Sequence, residues 1–395
     1  MNTFLFTDIS FWGFFAFVLL GLSFFYNRLP IRNGFLFLCS AVFYFLIGGL
    51  SVLLILLFSI IINYLCGLIR HWFSVTLAIT INILVYTIFL IQEFPQTALG
   101  SALPLLSVLP FGISFYTFSA ISYNVDVYKR RIKPVRNFID FGLYLSFFPT
   151  AAAGPVLRAT DFIPQLHKYY QVTSREFSIA LYSILGGLVK IAVADFIALN
   201  FNLENWLAIY GSAIRIYCIF SGYTGVAVGI AMLLGFKIPV NFNSPYKAAS
   251  LTDFCNRWYI SFFTWLRDYV YIPLGGKQRS TRNEQQGAGS NFLIRFAGLL
   301  ITFHFICFMW IILRADTFDK AVLTIQQFFT PTWRMVTLAE IKDNVAALSL
   351  IAAMLIIHLL PVRAKDFCRE IFYSLPIVVK FLAALAVAAV VYFLV

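Results

Sequence analysis

Few side chains in this sequence can move a proton near neutral pH. There are four histidines, His71, His167, His304 and His358. Imidazole is the side chain whose ordinary titration range suits that task. His71 and His167 fall in boundary loops and read as solvated, and His358 closes an apolar run at a helix end. His304, in Thr302-Phe303-His304, lies mid-way along an apolar run. A lone histidine there is more often a hydrogen-bonded packing residue than a base. The other concentration of chemistry is Asn241–Gly276, NFNSPYKAASLTDFCNRWYISFFTWLRDYVYIPLGG. It carries Lys247, Asp253, Arg257, Arg267 and Asp268 between long apolar runs, interleaved with Trp258, Tyr259 and Trp265. Ionisable groups at membrane depth are tolerated only where protein or water surrounds them, so this stretch is the default functional site. No Gly-Lys-Ser phosphate loop, GxSxG elbow or HExxH is present. The six cysteines are scattered, with no CxxC or Cys/His cluster, so no metal site or disulfide framework is expected.

The elements that must position these residues follow from composition. Hydrophobic residues make up 61% and charged residues 12% of 395, with 45 phenylalanines. A water-soluble fold could not cover that apolar surface with so few charges. The expected class is therefore an all-α polytopic membrane protein, read as a single membrane-embedded domain over 1–395. The apolar run beginning near Phe11 follows Asp8 rather than a basic start, so it reads as a span and not a cleavable signal peptide. The net charge of +12 sits in loops flanking spans, where it sets orientation and meets anionic lipid. Without a basic domain to carry it, nucleic acid is not expected as a partner.

Apolar runs of spanning length occur near 10–25, 33–48, 50–68, 72–91, 104–122, 138–157, 177–198, 206–235, 291–313, 343–360 and 375–395. They amount to about eleven spans. The run 206–235 is interrupted by Ser221-Gly222-Tyr223-Thr224-Gly225 and is expected to break or tilt there. Phe148-Pro149 and Ala153-Gly154-Pro155 break a helix inside apolar surroundings, with Arg158 and Asp161 directly after. Lys190 and Asp195, five apart in one span, need not share a face. Arg28, Arg32, Arg70 and the run Lys129–Arg136 follow the odd-numbered spans, whereas the loops after the second and fourth lack Lys and Arg. That alternation places the basic loops in the cytoplasm, with residues 93–103 and the amino terminus outside.

Five segments, in order, resemble the membrane-bound O-acyltransferase family, in the bacterial branch of alginate O-acetylation and teichoic-acid D-alanylation. They are PFGISFYTFSAISYNVDVYKRR (110–131), FIDFGLYLSFFPTAAAGPVLRATDFIPQL (138–166), FSGYTGVAVGIAMLLGFKIPVNFNSPYKAASLTDF (220–254), RWYISFFTWLRDYVYIPLGG (257–276) and WIILRADTF (310–318). They cover most of 105–320. The resemblance implies a ring of helices with re-entrant or interfacial elements around a central tunnel. It also implies a bacterial inner membrane location. The substrate would be an acyl-CoA or acyl-carrier donor, with no bound cofactor. Further partners would be membrane lipids and an extracytoplasmic acyltransferase. On this reading Asn243, Tyr246, Arg257, Trp258, Tyr259, Trp265, Arg267 and Asp268 line the tunnel or bind the donor.

The chain also departs from the family pattern. Tyr259 stands where the family usually has histidine after Arg-Trp, and no Trp-His-Gly segment separates the Leu-Gly-Gly stop from the Trp…Arg-Ala motif. A tyrosine phenol titrates near ~10 and is a poor base at neutral pH. His304 is then the one substitute base. Three classes follow: an acyltransferase acting on exported polysaccharide, a non-catalytic scaffold or donor conduit for a partner enzyme, and a small-molecule or lipid transporter.

Overall fold

The computed structural model describes residues 6–92, 112–169, 171–201, 206–276, 292–314 and 338–394, with 322, 323 and 326. Helices dominate, and no strand occurs among the described residues. The chain is an all-α polytopic membrane protein. The helices Leu29–Leu68, Ser174–Asn200 and Ile209–Leu233 are long and apolar enough to cross a membrane. Ile9–Phe25, Trp72–Ile88, Phe296–Trp310 and Ile377–Phe393 are shorter and apolar. Part of the run expected near 104–122 lies outside the described residues.

The fold divides into two compact units. The first comprises Met1–Ile184, Val226–Val240 and Thr264–Gly275. Its longest helix, Leu29–Leu68, joins the runs 33–48 and 50–68 across a kink at Gly49, where φ is 70°. Glycine alone takes that conformation without strain. Side-chain amides tie three helices of this unit together. Asn82 and Asn124 donate to Asn63 Oδ1 at 2.8 and 2.9 Å, and Asn63 donates to the Ser59 carbonyl at 2.8 Å. Such bonds hold apolar helices together where water cannot compete.

Two expectations change in this unit. The segment 138–157 is not one span: a helix Phe138–Ser146 gives way to a single 3₁₀ turn, Phe148–Thr150, and the next helix is Ala159–Leu166. Pro149 and Pro155 cannot donate to a continuing helix, so the chain breaks, as their positions imply. Arg32 is not a solvated loop charge. It is buried, and its guanidinium donates to the carbonyls of Leu166 at 2.9 Å and Lys168 at 3.1 Å. The neighbouring Asn33 donates to Asp140 Oδ1 at 2.9 Å. Ser174–Asn200 opens with a capping box, in which Thr173 N–H donates to Glu176 and Glu176 N–H donates back to Thr173 Oγ1.

The second unit comprises Leu185–Gly225, Asn241–Phe263 and Gly276–Val395. The helix Trp206–Leu233, which runs through both units, does not break at Ser221–Gly225. There Gly222 serves close approach: a Cβ on it would lie 2.9 Å from the Gly187 carbonyl and 2.8 Å from Ile191. Small residues at such crossings let backbones meet. Val345–Leu359 ends at Leu360, whose extended backbone is the one a residue before proline favours. The chain turns by 100° at Pro361 into Val362–Ser374.

Candidate functional site

The stretch Asn241–Phe263 is built on a backbone clasp inside the second unit. Ile260 N–H donates to the Asn241 carbonyl at 2.9 Å and Ser261 N–H to its Oδ1 at 3.0 Å. Asn243 N–H reaches the Arg257 carbonyl at 2.9 Å. Between them Ser250 caps the short helix Leu251–Cys255 through Asp253 N–H at 3.1 Å. Asp253 in turn holds Arg257 Nε at 2.6 Å. The result is a folded hairpin of helical turns, too short to span lipid and closed by backbone hydrogen bonds.

Trp258 is the hub of this hairpin. Its indole is 6% exposed, stacks on Phe254 at 5.5 Å and meets Phe242 and Trp310 at 5.1 and 5.0 Å. Tyr259 packs against Phe242 and Phe220 with a φ of 42°, a conformation rare for a tyrosine. Burial pushes its phenol well above the ordinary value, so it stays protonated at neutral pH.

The two histidines of this unit present opposite faces. His304 is exposed on Phe292–Arg314, and its Nδ1 lies 2.7 Å from the Leu300 carbonyl. A carbonyl only accepts, so Nδ1 carries the proton and Nε2 keeps a basic lone pair. His358 is 3% exposed near the end of Val345–Leu359. Its Nε2 accepts the Tyr246 N–H at 3.1 Å, so its proton sits on Nδ1, and Nδ1 has no partner among the described residues. Around it, Lys365 donates to Ser244 Oγ and the His358 carbonyl, both at 2.8 Å, and Lys247 donates to the Leu360 carbonyl. Tyr246 also donates its hydroxyl to the Ala213 carbonyl at 2.7 Å. The grouping of His358 with Lys247 and Lys365 was not legible from spacing. The available signal was a histidine one turn before Pro361.

Trp265, Arg267 and Asp268 belong to the first unit and form a separate arrangement. Trp265 Nε1 donates to the Phe118 carbonyl at 2.8 Å. Arg267–Tyr271 is one π-helical turn, a form frequent at functional sites. Asp268 bridges Arg267 Nε and Arg158 Nη2, each at 2.8 Å. Arg158 lies 5.3 Å over the Tyr269 ring, Tyr269 donates to Asp126 Oδ2 at 2.6 Å, and Asp126 Oδ1 accepts from Arg131 at 3.1 Å. Burial raises Asp268, but the hydrogen bond from Arg267 and the charges of Arg158 and Arg267 outweigh it and hold the carboxyl below its ordinary value. Of the residues selected from sequence, Asn243, Tyr246, Arg257, Trp258, Tyr259 and His304 therefore share one unit. Trp265, Arg267 and Asp268 share the other.

A profile of the membrane-bound O-acyltransferase family matches residues 64–339, which is more than half of the chain. The chain belongs to that family. Among its relatives is a probable alginate O-acetylase of Pseudomonas aeruginosa, 41% identical over 186 residues, 44% of this chain and 35% of that protein. A peptidoglycan O-acetyltransferase of Helicobacter pylori is 26% identical over 389 residues, 75% of this chain and 74% of that protein. A teichoic acid D-alanyltransferase of Bacillus subtilis is 31% identical over 177 residues, 41% of this chain and 44% of that protein. This chain matches only 35% to 46% of the length of the alginate relatives. Within this member of the family, the matched region contains both the hairpin around Trp258 and the Arg158–Asp268 arrangement. His358 lies beyond it.

Proposed function

We propose that the chain acts in O-acylation of an exported or cell-surface polysaccharide, passing an acetyl-like group from a cytosolic donor across the bacterial cytoplasmic membrane. The observation that carries this reading is the family match over 64–339, with relatives named for transfer to alginate, peptidoglycan and teichoic acid. The donor is an acyl-CoA or an acyl carrier, and the surrounding lipid is a second partner. The amino terminus faces outward, which puts the basic loop Lys129–Arg136 on the donor side.

A second reading, a donor conduit acting with an extracytoplasmic acyltransferase, is favoured by one observation. Tyr259, where the resemblance implies a histidine, has a buried phenol pushed further from neutral pH. Transfer to a hydroxyl needs a base within reach of its proton, and His304 is the exposed histidine among the described residues of the second unit. Proteoliposomes loaded with acetyl-labelled CoA separate the readings. Label appearing on an added polysaccharide supports transfer by this chain. Label appearing only when a partner transferase is supplied supports the conduit. Transmembrane flux of labelled free acetate, with neither a CoA donor nor an acceptor present, would point to a transporter and sink both.

A further inference from the structure

The helix break at Pro361 gathers charge of one sign around a buried donor. His358, Lys190, Lys247 and Lys365 all lie in the second unit. The charges acting on His358 are those of Lys365, Lys190 and Lys247, and those acting on Lys365 include Arg369. All are positive. The neighbouring carboxylate on that helix, Asp366, is paired with Arg369 at 3.0 Å.

Two of the lysines have evident structural work. Lys365 and Lys247 donate to the carbonyls of His358 and Leu360, which the end of Val345–Leu359 leaves without helical partners. Cations are favourable there. Lys190 has no such duty. It is half-buried in the membrane-spanning helix Ser174–Asn200, its Nζ lies 5.7 Å over the Tyr217 ring, and it has no hydrogen bond or ion pair among the described residues. The same Tyr217 ring packs edge-on to His358 at 4.7 Å. An ammonium in a span and a buried imidazole N–H are both costly when unmatched. Here both contact the Tyr217 ring.

The chemistry of the missing partner can be stated. Because Nε2 is occupied by the Tyr246 N–H, His358 offers a proton at Nδ1 and needs an oxygen that accepts. The Ser244 backbone also acts on His358, but it is neutral and every charge acting on the ring is positive, so that field stays uncompensated, whereas an anionic oxygen satisfies both. We propose that His358 Nδ1–H and the Lys190 ammonium form a binding site for a phosphate-class anion, either the phosphate of a soluble ligand or that of an anionic lipid headgroup. The site is independent of the acyl-transfer reading and is tested by binding alone.

The experiment uses the full chain in nanodiscs, with two probes. In neutral phosphatidylcholine discs, labelled pyrophosphate reports a soluble phosphate. In discs containing phosphatidylglycerol, mass spectrometry of the lipid retained on extraction reports a headgroup. His358→Gln keeps an acceptor for the Tyr246 N–H and removes the Nδ1 proton, and Lys190→Met removes the charge without touching Tyr246. Saturable binding in one arm, weakened about tenfold or more by each substitution, is expected, as for loss of one charge-assisted bond. The arm in which it occurs identifies the source. Absence of saturable binding in both arms overturns the site, as does binding that both variants retain. So does loss in Lys190→Met alone when His358→Gln is folded and binds normally, because charge then accounts for everything. If His358→Gln does not fold, retained binding by Lys190→Met overturns the site and loss supports it.

Discussion

Arg158 Nη2 sits 2.8 Å from Asp268 Oδ2, and this contact closes a run of alternating charges from Arg267 through Asp268, Arg158, Tyr269 and Asp126 to Arg131. In sequence these belong to four separate features: the helix Ile113–Tyr128, a basic loop, a broken apolar segment and an aromatic motif. In space they satisfy one another, so the acidic members hold arginines that membrane depth would otherwise exclude.

Removing the inner members of this run should therefore cost more than removing its exposed end. Arg158 and Asp268 side chains are 22% and 19% exposed, whereas Arg267 is 56% exposed. Arg158→Leu is expected to lower stability by about 1–3 kcal/mol, since it strands a partly buried carboxylate. Arg267→Leu should cost less than about 1 kcal/mol. Thermal unfolding of both variants in detergent checks the order. The reverse ranking would show that Asp268 depends on Arg267 instead.

The same carboxyl sets a pH dependence. Asp268 titrates below its ordinary value in the folded state, so its contribution is fully present above the unfolded value near ~4. It is lost as pH falls from there through the folded value. Asp268→Asn should flatten the acid limb of the stability curve and lower the plateau near neutrality. An acid limb identical to that of the parent protein would rule out this carboxyl as its source.

At Gly222 the expected outcome is steric. A Cβ there meets the Gly187 carbonyl at 2.9 Å, and backbone cannot swing away as a side-chain tip can. Gly222→Leu should destabilise by about 1–3 kcal/mol through overpacking. Unchanged unfolding would mean that the Ser174–Asn200 and Trp206–Leu233 helices can separate there at no cost.

For catalysis, the chain alone given an acyl-CoA and a polysaccharide is expected to turn over no faster than its His304→Ala variant. Loss of a positioned base costs about 10²–10⁴-fold. A drop of that size in His304→Ala, with donor binding intact, would make His304 Nε2 the base and exclude the conduit reading.

Orientation has its own measurement. With the native cysteines replaced, single cysteines at Arg131, in the basic loop, and Ser51, on exposed surface just past the Gly49 kink, should label from opposite faces of the membrane. Labelling of both from one side would reverse the assignment of the donor face.

Composition alone determined the class, because an apolar fraction of 61% leaves too few charges to solvate a soluble surface. Ordered motifs determined the family, since Arg257-Trp258 through Gly275-Gly276 and Trp310 through Phe318 are contiguous strings readable without coordinates. Prolines 149 and 155 also announced the broken segment, their effect being local to the backbone. Glycines at 222 and 225 misled for the opposite reason. A glycine in a helix weakens it locally, but at a crossing it admits a neighbouring backbone, and spacing does not say which applies. Only the tertiary structure decided what each charge meets. It paired Arg158 with Asp268, buried Arg32 against the Leu166 carbonyl and set His358 against Tyr246. Those partners lie far apart along the chain, and an ionisable group takes its role from the charges and burial around it.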